Sequence, residues 1–434
     1  MRQRLGQEGI LRTLATGSAS SFVVSVSGAA IGVVLHGLLA RRLGQEGYGT
    51  YVYLFGWMNI ALLLAVMELD TCAVRFVSSY LATRDPGRVR GFTRWSLRAS
   101  ATSSLTIGAS GIVGLYLVRD HFSANTYASA LLACMILPLW SVALVSSGCL
   151  AGFKQILRSQ APLNLVRPVL VLLGVVIVLA AARSAFTSAS VIGISVAAGT
   201  VALALSGRWL VVELRAVPDE SPATDTPLWW RTVFGLLPGS IAQRVLGVGT
   251  DVVIVGSMLD VRHAAAYSLA TQLIILIALV INAMSSIAAP MIADYHARAD
   301  EAGLRRLLRI IGRVNILLVA PLALLIAFAG FRVLAWFGPG YAEAYPALLW
   351  LLGACLTATL GGHATLMLTM TGRQHAASVI IGASAVGNLL LSFVLTAKFG
   401  VTGTAAATAI AICLRNGALC YWVKRDVGMS VWPW

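Results

Sequence analysis

The chain has 434 residues, of which 58% are hydrophobic and only 11% charged. A globular domain carries about 25% charged residues, so too few remain to coat a water-soluble surface, and a soluble enzyme is excluded. The surviving charge is lopsided, 32 Lys plus Arg against 17 Asp plus Glu, yet the basic residues sit in short gaps between apolar runs, where they act as topology signals and not as a nucleic-acid surface.

In chain order, Arg2, Arg4 and Arg12 precede an apolar run that starts near Ser18. That run is too long for a signal-peptide core and has no convincing cleavage site, so it predicts a retained first helix. A spanning helix needs about 20 mostly apolar residues to cross a hydrocarbon core roughly 30 Å thick. Twelve runs meet this: 18–40, 50–80, 95–118, 127–150, 162–182, 187–212, 232–257, 264–289, 307–330, 343–370, 376–397 and 401–423. The longer ones imply tilt or extension beyond the bilayer. The six cysteines, Cys72, Cys134, Cys149, Cys355, Cys413 and Cys420, all fall inside these runs with no CxxC spacing. They read as small membrane hydrophobes, with neither a disulfide framework nor a metal site.

Basic residues set the orientation. With a cytoplasmic N-terminus, 22 of them occupy inside segments and 7 outside ones. A multi-pass protein of the cytoplasmic (inner) membrane with both termini in the cytoplasm is therefore predicted. Residues 290–313 mix Asp294, Asp300, Arg305, Arg306 and Arg309 with Leu304, Leu307 and Leu308. They read as an amphipathic helix lying on anionic lipid and running into the ninth span.

Residues 215–231 (RAVPDESPATDTPLWWR) form the longest polar, Pro-containing interruption, close to the chain midpoint. They divide an N-terminal six-helix bundle, 1–214, from a C-terminal bundle, 232–434, with a short tail. The halves look duplicated. Leu43 and Tyr51 follow the first span as Leu259 and Tyr267 follow the seventh, and Tyr80 and Asp85 end the second as Tyr295 and Asp300 end the eighth. The fold class expected is all-α integral membrane: twelve transmembrane helices in two six-helix bundles. Since six is even, the halves have equal orientation and are related by a pseudo-twofold axis along the membrane normal.

The segments LARRLGQEGYGTYVYLFGW (39–57), LDTCAVRFVSSYLA (69–82), LLPGSIAQRVLGVGTDVVIVGSMLDVRHAAAYSLA (236–270) and NLLLSFVLTAKFGVTGTAAATAI (388–410) resemble the Wzx-like oligosaccharide flippases, the polysaccharide transporters of the multidrug/oligosaccharidyl-lipid/polysaccharide exporter superfamily. The resemblance covers both halves. It implies flipping of a polyprenyl-diphosphate-linked oligosaccharide from the cytoplasmic to the outer leaflet by alternating access, for surface polysaccharide biosynthesis. It also implies partnership with membrane lipid and with glycosyltransferases or a polymerase. The chain has no GxxxxGK[ST] phosphate loop, and no cofactor, nucleic-acid partner or catalytic residue is expected. It departs from the lipid II flippases in having twelve spans and not fourteen, and from the drug exporters in lacking an acidic residue in the first span.

An ionisable residue inside a span costs about 2.5–3.5 kcal/mol on insertion scales and is a candidate for function. Arg244 lies about twelve residues into the seventh span, some 18 Å from its start at 1.5 Å per residue, too deep to snorkel easily. Ser240, Arg244, Gly247 and Asp251 recur at spacings that place them on one stripe of a continuous helix. A guanidinium is a planar fork of donors matched to phosphate oxygens, so Arg244 and Asp251 are substrate-site candidates; a structural Arg244–Asp251 pair is the plainer alternative. In the second span, Glu68 and Arg75 share a face and join the candidate site, although Arg75 also lies within snorkelling reach of the interface. Asn282 is the best candidate in the eighth span for lining a cavity. Arg167 reads as a snorkelling arginine, His36 and His363 as interhelical hydrogen bonders, and Asn388 as interhelical glue.

The alternative reading is a Na⁺- or H⁺-coupled multidrug or metabolite exporter of the same fold, in which Glu68, Asp70 and Asp251 bind the ion. A membrane-embedded glycan polymerase fits poorly, since such enzymes need large extramembrane loops and the longest gap here is under about 20 residues.

Overall fold

The computed structural model describes all residues except 1, 182–185, 246, 299, 361–363, 371–373 and 428–434. His363 and Arg373 thus lie outside the described residues. Helices account for nearly all the rest: α1 (Arg2–Val66), α2 (Leu69–Ala82), α3 (Pro86–Leu117), α4 (Ala124–Gly152), α5 (Ile156–Ala161), α6 (Arg167–Ala181), α7 (Ser188–Arg215), α8 (Thr226–Val245), α9 (Val248–Met258), α10 (Val261–Ala297), α11 (Glu301–Phe337), α12 (Tyr345–Leu360), α13 (Ala364–Met370) and α14 (Gln374–Val427). The chain is all-α and multi-pass. Among the described residues seven helical segments are long and apolar enough to cross a membrane, or eight when the bent pair of α8 and α9 is taken as one span.

Two of those segments, residues 23–82 and 375–426, are far longer than one crossing, and each contains a reversal. His36 Nδ1 lies 2.9 Å from Tyr48 Oη, although twelve residues of straight helix would separate them by about 18 Å. The chain turns back between them at Gly44, whose φ of 69° and ψ of −179° lie in a region open essentially to glycine alone. Likewise Thr396 and Thr404 share a hydroxyl hydrogen bond of 2.7 Å across a straight-helix distance of about 12 Å. Here the reversal is at Gly400, φ 59° and ψ −139°. Two continuous helices by hydrogen-bond pattern are therefore two hairpins.

The contacts divide the chain into two compact units: residues 1–35 with 54–238, and residues 36–53 with 239–434. The division falls inside α8, later than the polar stretch 215–231, and the tip of the first hairpin belongs to the second unit. The reason for the first shift is local. Trp229 is completely buried and donates Nε1–H to Tyr80 Oη at 2.9 Å, within an aromatic group of Phe76, Phe92 and Trp95. The polar connection is stitched to the same unit: Arg90 donates to the carbonyls of Val217 and Pro218 at 2.8 and 3.1 Å, and Ala223 N–H donates to Gly87 O at 3.0 Å.

In the first unit, α4 packs against α2, α3 and α7 through small residues. A Cβ on Gly148 or Gly152 would run into the α2 backbone at Asp70 or the Val77 side chain, so these glycines, four apart, allow the close helix approach expected of membrane interfaces. Hydroxyls join the remaining faces: Ser100 with Ser141, and Ser129 with Ser188 at 3.0 Å.

In the second unit, Leu304, Leu307, Leu308 and Ile311 of α11 are buried against Ala288 and Ile292 of α10, Met367 and Leu368 of α13, and Leu419 and Val423 of α14. This corrects the lipid-anchor reading of residues 290–313, because their apolar face is consumed by packing within the bundle and α11 runs on uninterrupted. Hydrophobic periodicity cannot tell a lipid-facing stripe from a helix-facing one.

The duplicated Tyr–Asp pairs have a common structural meaning. Asp85 N–H donates to Tyr80 O at 2.9 Å and Asp300 N–H to Tyr295 O at 3.1 Å, a bond that closes a helix C-terminus; in the first of the two turns Arg84 is left-handed, with φ of 55°. Each aspartate then caps the next helix, accepting from Arg88 N at 2.9 Å and Gly303 N at 2.8 Å. A third aspartate, Asp260, caps α10 by accepting from the N–H of His263 at 2.8 Å and contacts its Nδ1 at 2.7 Å. Partial burial pushes the Asp260 carboxyl up, but the hydrogen bonds and charge of His263 outweigh it and hold the group below the ordinary carboxylate range.

Candidate functional site

Among the described residues each unit contains a broken helix with ionisable residues at the break. In the first unit the second span is interrupted between α1 and α2. Met67 and Glu68 are both left-handed, with φ of 48° and 60°, a conformation that costs an L-residue roughly 1–2 kcal/mol. Neither Gly nor Pro marks the position. The interruption frees the carbonyl of Ala65, which accepts instead from Ser103 Oγ of α3 at 2.6 Å, so a neighbouring helix supports the strained turn. Glu68 is half-buried, and its Oε2 accepts from Thr71 Oγ1 at 2.8 Å. Asp70 lies in the first turn of α2. Arg75 is exposed one to two turns further on, its guanidinium 5.8 Å from the Phe76 ring centroid.

In the second unit the break separates α8 from α9, which meet at 59°. Gly247 is extended, with φ −93° and ψ 158°. Arg244 O accepts from Gly247 N at 2.9 Å and from Thr250 Oγ1 at 3.3 Å, which satisfies backbone that a continuous helix would have paired. The stripe Ser240, Arg244, Gly247, Asp251 is therefore not one helical stripe. Arg244 ends α8, exposed, and its guanidinium has no hydrogen bond or ion pair among the described residues. Asp251 stands in the first turn of α9 with 1% exposure. The structure does not pair the two.

Asp251 instead gathers three other helices. Its Oδ2 accepts from Tyr267 Oη of α10 at 2.7 Å and from Thr408 Oγ1 of α14 at 2.9 Å. Thr408 Oγ1 also reaches Asn388 Oδ1 at 3.3 Å, on the other arm of the α14 hairpin. Tyr267 and Asn388 are fully buried. Asp251 Oδ1 is buried with no hydrogen-bond partner, as is Asn388 Nδ2. A buried acceptor left unmet costs about 1–3 kcal/mol, so a protein that keeps one retains a costly polar centre.

Beside this centre runs a second chain within the same unit, His36 to Tyr48 at 2.9 Å and Tyr48 to Ser268 at 3.4 Å. His36 is thus an interhelical hydrogen bonder. It lies 215 residues before Asp251, and its ring faces that of Tyr51 at 6.1 Å between centroids. Tyr51 in turn lies 216 residues before Tyr267, the partner of Asp251. The repeat read from spacing therefore carries a pair of facing residues as well as a turn.

Asn282 is exposed on α10. Arg167 lies over the Trp140 ring at 4.0 Å, beside a π-helical turn at Pro162–Val166. Sequence reasoning missed the strained pair Met67–Glu68, for which no local signal exists. It also missed the partners Tyr267 and Thr408. The Gly247-x-Gly249 spacing is a signal that could have flagged the broken helix.

The architecture is similar to that of solved membrane transporters. A structure of the inward-facing conformation of a multidrug resistance MATE family transporter of the MOP superfamily superposes with a TM-score of 0.73 at 13% identity, covering 94% of this chain and 98% of that one. A MATE structure in the straight conformation gives 0.65 at 13%, covering 96% of both. A MOP superfamily transporter from Pyrococcus furiosus, described as having a binding pocket of reverse polarity, gives 0.62 at 12%, covering 96% and 95%. These likenesses establish the fold alone, an all-α multi-pass membrane fold that the chain shares with those transporters. The family follows from sequence: the model described as polysaccharide biosynthesis protein matches residues 14–296, more than half of the chain, and the chain belongs to that family. No match was found among curated proteins.

Proposed function

We propose that the protein is a flippase that moves a polyprenyl-diphosphate-linked oligosaccharide from the cytoplasmic to the outer leaflet of the inner membrane, for surface polysaccharide biosynthesis. Both termini face the cytoplasm in this reading, and the two units alternate access to the cargo. Glycosyltransferases that build the oligosaccharide, or a polymerase that uses it, are its functional partners. The observation that carries the reading is Arg244: an exposed guanidinium beside a helix break in a span, without a partner among the described residues, in a chain of the polysaccharide biosynthesis family. A broken membrane helix is where transporters bind charged substrates, and a diphosphate is the anion that a guanidinium fork suits best. Asp251 and Asn282 of the same unit, and Arg75 and Glu68 at the break in the first unit, are the further residues proposed to meet the cargo. The inside-negative potential favours outward movement of an anion by about 2.3 kcal/mol per charge per 100 mV.

Arg244→Ala, expressed at normal level, is expected to lose most surface glycan export while Arg244→Lys retains part of it. Undiminished export by Arg244→Ala sinks the assignment.

One observation favours a second reading, ion coupling. The carboxylate of Asp251 keeps Oδ1 unmet in a fully buried polar cluster, the arrangement that a proton or Na⁺ would complete. Asp251 then serves as the coupling site, with Glu68 and Asp70 as the corresponding pair in the other unit, and the cargo is a drug or metabolite if the family's glycan is absent. Efflux assays on cells lacking the protein separate the cargo: altered drug accumulation with intact glycan export favours the exporter.

A further inference from the structure

The first unit carries a second concentration of charge that the site above does not use. Arg94 and Arg98 lie one turn apart on α3, both exposed, and neither guanidinium has a hydrogen bond or ion pair among the described residues. Their neighbour Arg90 differs: it is spent on the Val217 and Pro218 carbonyls and on Asp219 Oδ1 at 3.2 Å. Arg90 holds the interbundle connection, whereas Arg94 and Arg98 are left over.

The two arginines line a cavity of about 450 Å³ with Trp95, Trp230, Pro222 and Thr224, and no carboxylate lines it. That volume falls within the roughly 300–1,000 Å³ of ligand pockets. One wall is fixed by the bond from Ala223 N–H to Gly87 O, which pins the connection between Pro222 and Thr224. Another is formed by Trp95 and Trp230, whose rings meet edge to face at 5.2 Å. Tryptophans of this kind mark headgroup depth. An arginine that only sets topology needs water or headgroups around it and has no use for a walled, acid-free pocket. Two guanidiniums at i and i+4, by contrast, present two donor forks about 5–6 Å apart at their bases, which suits the several oxygens of one phosphoryl or diphosphate group.

We propose that the Arg94–Arg98 cavity binds a phosphate or diphosphate group, the headgroup chemistry of an anionic lipid. As the station where a lipid diphosphate is captured before translocation, the site rests on the flippase reading; as a phosphoryl site it stands alone.

The test uses the full chain in nanodiscs of zwitterionic lipid. Inorganic pyrophosphate is titrated by calorimetry, and in a parallel arm phosphatidic acid is added to the disc and the retained lipid counted by native mass spectrometry. The wild type is expected to bind at least one probe saturably. Pyrophosphate binding assigns a free-anion site, and retention of phosphatidic acid alone assigns a lipid headgroup; both support the proposal. Arg94→Gln/Arg98→Gln is expected to weaken binding about tenfold or more, and Arg208→Gln/Arg231→Gln, an equal charge change at exposed arginines outside the cavity, less than about twofold. Absence of saturable binding to the wild type, or equal losses in the two double variants, overturns it. Arg94 and Arg98 are exposed, and an unchanged melting temperature for their double variant confirms folding. Glycan export is scored separately. Export by a wild type that binds neither probe removes the station and leaves the flippase, and binding without export in any host removes the flippase and leaves the site.

Discussion

The hydrogen bond between Tyr267 and Asp251 can be isolated energetically, because the structure shows which partner each change strands. Asp251→Ala takes from the buried Tyr267 phenol its acceptor at 2.7 Å, whereas Thr408 keeps its reach to Asn388 Oδ1 at 3.3 Å. One orphaned donor costs about 1–3 kcal/mol. Tyr267→Phe leaves Asp251 with Thr408 and should cost about 1 kcal/mol. Interhelical hydrogen bonds in membrane proteins average about 0.6 kcal/mol in double-mutant cycles and reach about 1.7. A bond of 2.7 Å between fully buried groups, one of them a carboxyl, belongs at the upper end. The double variant Asp251→Ala/Tyr267→Phe should therefore be less destabilised than the sum of the singles by about 1.5 kcal/mol, more than tenfold in the unfolding equilibrium. Reversible unfolding in mixed micelles, followed by tryptophan fluorescence, measures all four corners. A coupling below about 0.6 kcal/mol would show that the two groups merely neighbour each other and that Asp251 is held by something else.

The two repeated caps make a simpler prediction. Asp85→Ala and Asp300→Ala should each cost about 1 kcal/mol, and because they lie in separate units their costs should add to within about 0.5 kcal/mol; a strongly non-additive pair in the same unfolding assay would contradict independent capping. At the break in the second span, Glu68→Gly removes a left-handed side chain and should be more stable than Glu68→Ala by about 1 kcal/mol. Both lack the carboxylate, so equal stabilities would refute strain at that position.

The membrane class was legible because the bilayer imposes a length and a composition on every crossing, and these survive in one dimension. The interruptions near Gly44 and Gly400 were legible for a related reason, since each is a local backbone event with a residue requirement of its own, whereas Asp85 and Asp300 were visible only as repeated span ends and their capping bonds came from the structure. Arg244 and Asp251 were visible as charges in apolar runs, but their relation was not. Spacing was converted to a face by assuming a continuous helix, and the extended Gly247 breaks that assumption. The leucines of residues 304–311 were misjudged because an apolar stripe has the same period whether it meets lipid or another helix. Tyr267, Thr408 and Asn388 come from segments far apart in the chain, and only packing brings them to one carboxylate. The Met67–Glu68 turn has no sequence mark at all, since it is held by a serine from α3. Sequence alone determined that the chain is a multi-pass membrane protein and which ionisable residues fall within its apolar runs. Tertiary structure decided which of those charges are satisfied, because a hydrogen bond between helices depends on the distance between side chains and not on their order in the chain.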